Sequence, residues 1–333
     1  MTISSTGDLG DCVYLLNIIR QIPGGPHTLC LRSSLWTKAK TEEGAQRLFN
    51  LLAPLVELQH YVKDFKVIQP DDVGDWASEG FRERAFSNGE TLMQAHLNHL
   101  IRVRGDGQGI TCKHQWLFGV IPAKVSLGRV VINRTPRYRN DKFPWGEIVK
   151  HYGEKLLFVG LPHEHEEFSN SYGSVEYHPT TNMLEVAQVI LGSDLFIGNQ
   201  SSAYALAEGM KHNTIQEVCL HMPDCVYVRP NAAYVPDEVV TLPCGTVIRG
   251  GLVSQDRRTH VTPPGAWQLT GYASNPTFEL MCREVVRCGG IPLPQAEEAV
   301  YNFNVARCPE FFRDRADYRA TNLFRQALEN HTP

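Results

Sequence analysis

Two short stretches combine residue types that could carry out chemistry. The first is Gly7-Asp8-Leu9-Gly10-Asp11, lying between a strand-like run and an apolar helix-like run. Glycines at such a junction let a ligand approach the main chain, and the unpaired N–H groups of a helix start attract anions. Asp11 could take a proton from an attacking hydroxyl. Equally, Asp8 or Asp11 could do no more than cap the helix. The second stretch, Phe196-Ile-Gly-Asn-Gln-Ser-Ser202, repeats the arrangement: an apolar run reaches Gly198, and small polar residues then open a helix. Asn199, Gln200, Ser201 and Ser202 offer donors that suit a diphosphate, and the competing reading is an ordinary serine cap. Neither stretch is Gly-x-Gly-x-x-Gly, so a dinucleotide fingerprint is not present.

Three further groups sit at the ends of strand-like runs. The loop Asn133–Lys142 carries Arg134, Arg137, Arg139 and Lys142 against one acid, Asp141. At the carboxyl end of a strand it suits a leaving diphosphate or an acceptor phosphate, with Arg134 and Arg137 the first choices; a solvated basic loop is the alternative. His163-Glu-His-Glu-Glu167 resembles a metal cluster in composition only. It has no HExxH spacing, and consecutive loop residues rarely converge on one ion, so no metal site is assigned. Read as a loop after a strand ending at Gly160, it is a solvated acidic loop, or, under the family resemblance given below, one that brings Glu164 or His163 toward a nucleoside. Glu208 and Glu217 could accept ribose hydroxyls, Glu208 preferred, or could simply be solvated.

The elements that must hold these residues alternate strand and helix. Strands are expected at Met1–Ser5, Thr28–Leu31 and Lys66–Ile68, with helices from Cys12 to Ile19, from Glu42 to Leu58 and around Thr91–Ile101. After a Pro- and Gly-containing break at Pro122–Gly128 the pattern restarts. Strands are expected at Arg129–Asn133, Lys155–Val159, Asp194–Ile197 and Ile215–Leu220, and helices at Pro144–Tyr152, Met183–Leu191 and Ala203–Met210. This alternation predicts an α/β protein with parallel sheets covered on both faces. Residues 221–268 are Pro- and Gly-rich and fit either a hairpin insertion or a long ordered loop. Helices return around 277–287, 296–306 and 318–328.

Composition removes several function classes. With 333 residues, 42% of them hydrophobic, the chain has enough apolar material for about two packed domains. The 32 Lys and Arg against 36 Asp and Glu give a net charge of −4, which excludes bulk positive charge as a means of holding nucleic acid. No apolar run approaches the ~20 residues that span a bilayer, and the N-terminus lacks the charge and apolar pattern of a secretion signal, so a cytoplasmic protein is expected. The nine cysteines form no Cys-x-x-Cys and read as free thiols in a reducing compartment, with Cys12 and Cys219 as small core residues.

The stretch Met183-Leu-Glu-Val-Ala-Gln-Val-Ile-Leu-Gly-Ser-Asp-Leu-Phe-Ile-Gly-Asn-Gln-Ser-Ser202, leading into Leu206-Ala-Glu208, resembles the donor-binding segment of GT-B glycosyltransferases. It is most similar to the branch that transfers sugars from ADP-heptose. Gly10-Asp11 followed by an apolar helix resembles that branch's N-terminal turn, while the donor loop reads Asn199-Gln200-Ser201 where the branch has Asp-Thr-Gly. The resemblance implies two Rossmann-like domains facing a central cleft, with C-terminal helices. Residues 1–125 would form the acceptor domain and 126–290 the nucleotide-sugar domain, including the 221–268 insertion. Residues 291–333 would be helices able to pack back on the N-terminal domain. It also implies Asp11 as the general base, Asn199, Gln200, Ser201 and Ser202 as diphosphate contacts, and inversion at the anomeric carbon. The expected activity is sugar transfer from a nucleotide-diphosphate sugar without metal or other cofactor. The acceptor would be a saccharide or a hydroxymethylated base in DNA, the latter contacted through the basic loop and Arg102/Arg104. A nucleotide-sugar epimerase and a non-catalytic nucleotide-binding protein are the competing readings.

Overall fold

The computed structural model describes residues 1–34, 40–79, 81, 91–105, 110, 114–219, 225–227, 229, 231–235, 239–241 and 247–249. The first unit comprises β1 (Thr2–Ser5), α1 (Leu9–Gln21), β2 (His27–Leu31), α2 (Glu42–Val56), β3 (Val62–Val67), β4 (Trp76–Ser78) and α3 (Leu92–Arg104). Its strands form a four-stranded sheet in the order β3-β2-β1-β4, with every pair parallel. The second unit comprises β5 (Val130–Asn133), α4 (Trp145–Tyr152), β6 (Leu156–Phe158), α5 (Pro162–Tyr172), β7 (Glu176–Tyr177), α6 (Met183–Gly192), β8 (Leu195–Asn199), α7 (Ser202–Gly209), β9 (Thr214–Glu217) and β10 (Ala232–Val235). These strands make a six-stranded parallel sheet in the order β10-β9-β8-β5-β6-β7.

The parallel geometry explains the sequence pattern. Val130, Val131 and Ile132 of β5 and Leu195, Phe196 and Ile197 of β8 are buried without alternation, because a parallel sheet is covered on both faces. β5 and β8 lie at the centre, so both faces of each strand must be apolar. α1 is buried continuously from Asp11 to Ile19, with both α7 and α3 packed against it. Cys12 and Cys219 are buried free thiols.

The two units share one apolar core that runs from Ile3 and α1 through Trp116 to α7 and Tyr234. The segment joining them is fastened at several points. The N–H groups of Trp116 and Leu117 both donate to the Gly209 carbonyl, at 2.9 and 3.1 Å. Trp116 Nε1 donates to the Val13 carbonyl at 2.9 Å, and the Tyr61 hydroxyl donates to the Trp116 carbonyl at 2.6 Å. The Gln59 carboxamide accepts from the Phe118 N–H and donates to its carbonyl.

Several expectations need correction. His163–Glu167 is not a loop: it forms the first turns of α5, with Pro162 at the start and Glu164 Oε2 accepting the Leu161 N–H at 2.9 Å. The strand expected at Lys66–Ile68 starts earlier, at Val62, and β4 and β7 add to the sheets as short strands. In the 221–268 region, β10 joins the parallel sheet, and β11 (Val239–Thr241) pairs antiparallel with β12 (Val247–Arg249). The helices expected beyond residue 270 lie outside the described residues. Among the described residues, no helix is long and apolar enough to cross a membrane.

The joint between the units tolerates no added atom at Gly209, where a Cβ would come 2.7 Å from Leu117 Cγ and Cδ1. Gly209→Ala should lower stability by about 1–3 kcal/mol, as overpacking does in a close-packed core. Urea unfolding should show the loss as a lower midpoint with an unchanged slope.

Candidate functional site

The two chemistry-bearing junctions meet. β1 hands over to α1 at Gly7–Leu9, and β8 hands over to α7 at Gln200–Ser201. α1 packs along α7, and a Cβ at Gly10 would lie 3.6 Å from Ser202 Cα and 3.9 Å from the Ser201 carbonyl oxygen. Two helix N-termini, each following the carboxyl end of a parallel strand, therefore stand side by side. Ligands of open α/β sheets collect at such strand ends.

At the first junction Asp11 is buried, and its Oδ2 accepts the Asp8 N–H at 2.8 Å. This is the capping role weighed against the base role from sequence. Ser5 at the end of β1 is also buried, its hydroxyl accepting the Gly7 N–H at 3.1 Å.

At the second junction the three central strands end level. Asn133 of β5 pairs with Gly198 of β8, and Asn199 pairs with Glu217 of β9. A Cβ at Gly198 would come 2.8 Å from the Asn133 carbonyl, so only glycine lets these ends close up. Ser201 caps α7: its hydroxyl accepts the Tyr204 N–H at 3.2 Å and donates to Asn133 Oδ1 at 2.9 Å. Asn133 Nδ2 in turn donates to the Val159 carbonyl. Gln200 is buried, and Ser202, the first residue of α7, is partly exposed. Glu164 is buried just past the end of β6.

Three assignments change. Arg134 does not stand free for a diphosphate. It reaches across the end of β8 to Glu217, with Nε 2.9 Å from Oε2 and Nη2 2.9 Å from Oε1, while Nη1 donates to the Tyr172 hydroxyl at 2.7 Å. Glu217, fully buried, also accepts the Asn140 N–H at 2.7 Å and Trp145 Nε1 at 2.9 Å. A carboxylate without water needs this many donors. Asn199 is also committed. Its Oδ1 accepts the Thr135 N–H at 3.0 Å, and Nδ2 donates to the carbonyls of Thr135 and Arg137 at 3.1 and 2.6 Å. Glu208 is buried at the far end of α7, ion-paired to Arg229 at 2.6 Å and Lys211 at 2.5 Å, well removed from a ribose role at the strand ends.

The basic loop is thus a built structure. Arg139 pairs with Glu167 at 2.5 Å, a contact that raises the arginine pKa and lowers that of the carboxyl. Arg137 remains exposed, with its guanidinium over the Tyr138 ring at 5.4 Å and Tyr138 itself at φ +54°. A non-glycine residue in that region is uncommon and marks a constrained loop. Sequence reasoning missed Glu217 as the anchor, along with Thr135, Tyr172 and Trp145. The one available signal was an acid closing a buried strand while an arginine follows the strand two places away in the same sheet. Among the described residues, no three His, Cys, Asp or Glu side chains come together as a metal site.

No protein-family model matches the sequence, and no curated protein matches it. Among solved structures, the fold is similar to the E. coli heptosyltransferase WaaC with ADP-2-deoxy-2-fluoro heptose, at 16% identity and a TM-score of 0.38, covering 65% of this chain and 88% of that one. It is similar to a family 9 glycosyl transferase from Veillonella parvula, at 11% identity and 0.40, covering 65% and 79%. It is also similar to the iron-containing dodecameric heptosyltransferase TibC of E. coli, at 15% identity and 0.43, covering 70% and 63%. The chain therefore resembles the heptosyltransferases in structure as it does in its two motifs.

Two outcomes are expected from the charged groups. Glu217→Gln should cost about 3–5 kcal/mol, since it removes the buried counter-charge of Arg134 and leaves only the exposed Asp141 at 4.0 Å. The paired replacement Arg134→Met with Glu217→Met should recover much of that loss in the same unfolding measurement. His212, held by Ser193 Oγ at 3.1 Å, has its pKa lowered to about 4, by burial first and then by the positive charge of Arg229. The unfolded chain therefore binds a proton between about pH 6.5 and 4 that the folded protein refuses. Stability from this residue is full above about pH 6.5 and is lost as pH falls toward 4. Thermal midpoints across that window should flatten in His212→Gln.

Proposed function

We propose that the protein is a GT-B-like glycosyltransferase, moving a sugar from a nucleotide-diphosphate sugar to an acceptor hydroxyl. The observation that carries this reading is the contact of Gly10 with Ser201 and Ser202. It supports a single reaction centre at which one unit offers a carboxylate and the other an anion-attracting helix start. The first unit would hold the acceptor, with Asp11 removing its proton as the oxygen attacks the anomeric carbon. The second would hold the donor, with the α7 N-terminus and Arg137 stabilising the departing diphosphate. Gln200 and Ser202 would contact the phosphates and Glu164 the nucleoside. Inversion and independence from metal belong to the same proposal: fixed positive donors at the leaving group can supply what a divalent cation supplies elsewhere.

A saccharide is the favoured acceptor. Arg134 and Arg139 are each paired with a carboxylate, which leaves less charge to meet a nucleic-acid backbone. A DNA acceptor would give an acceptor affinity that falls steeply with salt.

The test is incubation with UDP-, GDP-, ADP- and dTDP-sugars, with and without a saccharide acceptor, while nucleotide release is followed. Release only with acceptor supports transfer. Release without acceptor, together with an epimerised sugar, would identify an epimerase, and binding without release a non-catalytic protein. Asp11→Asn keeps an oxygen to accept the Asp8 N–H, so it should fold normally yet lose about 10²–10⁴-fold in transfer rate. Asp11→Ala should lose the same activity and, in addition, about 1 kcal/mol of stability with the cap. Near-normal transfer by Asp11→Asn removes Asp11 from the chemistry.

A further inference from the structure

The Asn199 carboxamide lies at the end of the central strand β8, two residues before the cap of α7. Its hydrogen bonds are all directed at the loop after β5 rather than outward. Oδ1 accepts the Thr135 N–H, and the two Nδ2 hydrogens are taken by the carbonyls of Thr135 and Arg137, the latter at 2.6 Å. The side chain is fully buried. A primary amide has two N–H donors and one carbonyl acceptor, so this one has no donor left for a ligand. What it grips is the main chain at the point where Arg137 emerges. Arg137 is exposed and forms no ion pair with a described residue, and Tyr138 beyond it holds a left-handed conformation. Other ties hold the same loop: Glu217 takes Arg134 and the Asn140 N–H, Arg139 donates to the Thr135 carbonyl at 2.9 Å and pairs with Glu167, and Asn133 takes the Ser201 hydroxyl. Asn199 makes the short bond to the carbonyl of the residue whose cation is exposed, at 2.6 Å, while the Thr135 hydroxyl reaches that carbonyl only at 3.5 Å.

We propose that Asn199 is a positioning residue that registers Arg137 against the N-terminus of α7, so that cation and helix start act together on a diphosphate. The inference rests on the donor-site reading given above and goes beyond it, because it replaces direct contact by Asn199 with action through Arg137. The amide fixes the distance between the two positive elements of the site. Without it the loop keeps its Glu217 anchor but loses the register of its outer turn.

A double-mutant cycle read by calorimetric binding of ADP, UDP, GDP and dTDP to the full chain tests this, with the matching nucleosides as controls. Arg137→Ala should weaken the bound diphosphate by about 10- to 100-fold, the range of a charge-assisted hydrogen bond, with nucleoside binding unchanged. Asn199→Ala should produce a loss of similar size. In the Arg137→Ala background it should add no more than about twofold, because the group it positions is already gone. Hydrogen exchange at the Thr135 amide should speed up in Asn199→Ala and not in Arg137→Ala. If Asn199→Ala does not fold, Asn199→Ser, whose hydroxyl is too short to reach the Arg137 carbonyl, takes its place in the cycle. Losses that multiply in the double variant would mean that Asn199 touches the phosphates itself, and an Asn199 variant binding as tightly as wild type would also overturn the proposal. Wild-type protein that binds none of the four diphosphates would remove the donor-site reading along with it, which separates that failure from the first two.

Discussion

Glu217 is the constraint on which the second unit depends. A carboxylate with no exposed surface at the end of a central strand must gather donors, and the chain supplies them from one stretch, Arg134 to Trp145. Such a pair gives little net stability, because taking two charges out of water offsets most of their attraction. Its effect is on conformation: a segment of four positive charges that would otherwise be solvated is pinned to the sheet. What the anchor leaves outside for the proposed function is Arg137 rather than Arg134.

The second dependence is steric. α1 lies against the start of α7, where a Cβ at Gly10 would stand 3.6 Å from Ser202 Cα, and the end of α7 closes on Trp116 and Leu117 only because Gly209 has no Cβ to meet them at 2.7 Å. Trp116 holds this arrangement with both its main chain and its indole, so the two sheets share a core through α1 and α7. The placement of Asp11 relative to Ser202 is therefore set by packing over a large buried area, and reaction geometry requires such rigidity in its supports.

Much of the fold was legible because long elements announce themselves by period. The continuous apolar runs of β5 and β8 and the buried faces of α1 and α2 follow from residues close together in the chain. The short strands β4 and β7, three and two residues long, offer no period to read. α5 was mistaken for a loop because only Glu164 and Phe168 of its eleven residues are buried, although Pro162 at its start and Glu164 reaching back to Leu161 carried the helix signal. In the site, the strand–helix junctions were visible locally. The fate of Arg134 was not, since its partner lies 83 positions away and is brought near only by the strand order β9-β8-β5.

That long-range pairing alters what kind of anion site the second junction can be. Arg134, Asn199 and the Ser201 hydroxyl all turn inward, and Ser201 also satisfies the Tyr204 N–H. An α-helix leaves its first N–H groups without helical partners, so those of Ser202 and Ala203 remain the main-chain donors at the α7 start. In the proposed donor site, these and the exposed Arg137 would recognise charge and position rather than the shape of a side-chain cage. Main-chain donors do not depend on rotamers and need no reorganisation when charge develops on a leaving group. Arg134, Asn199 and Ser201, which looked like ligands from sequence, therefore serve as the frame that keeps those donors in place.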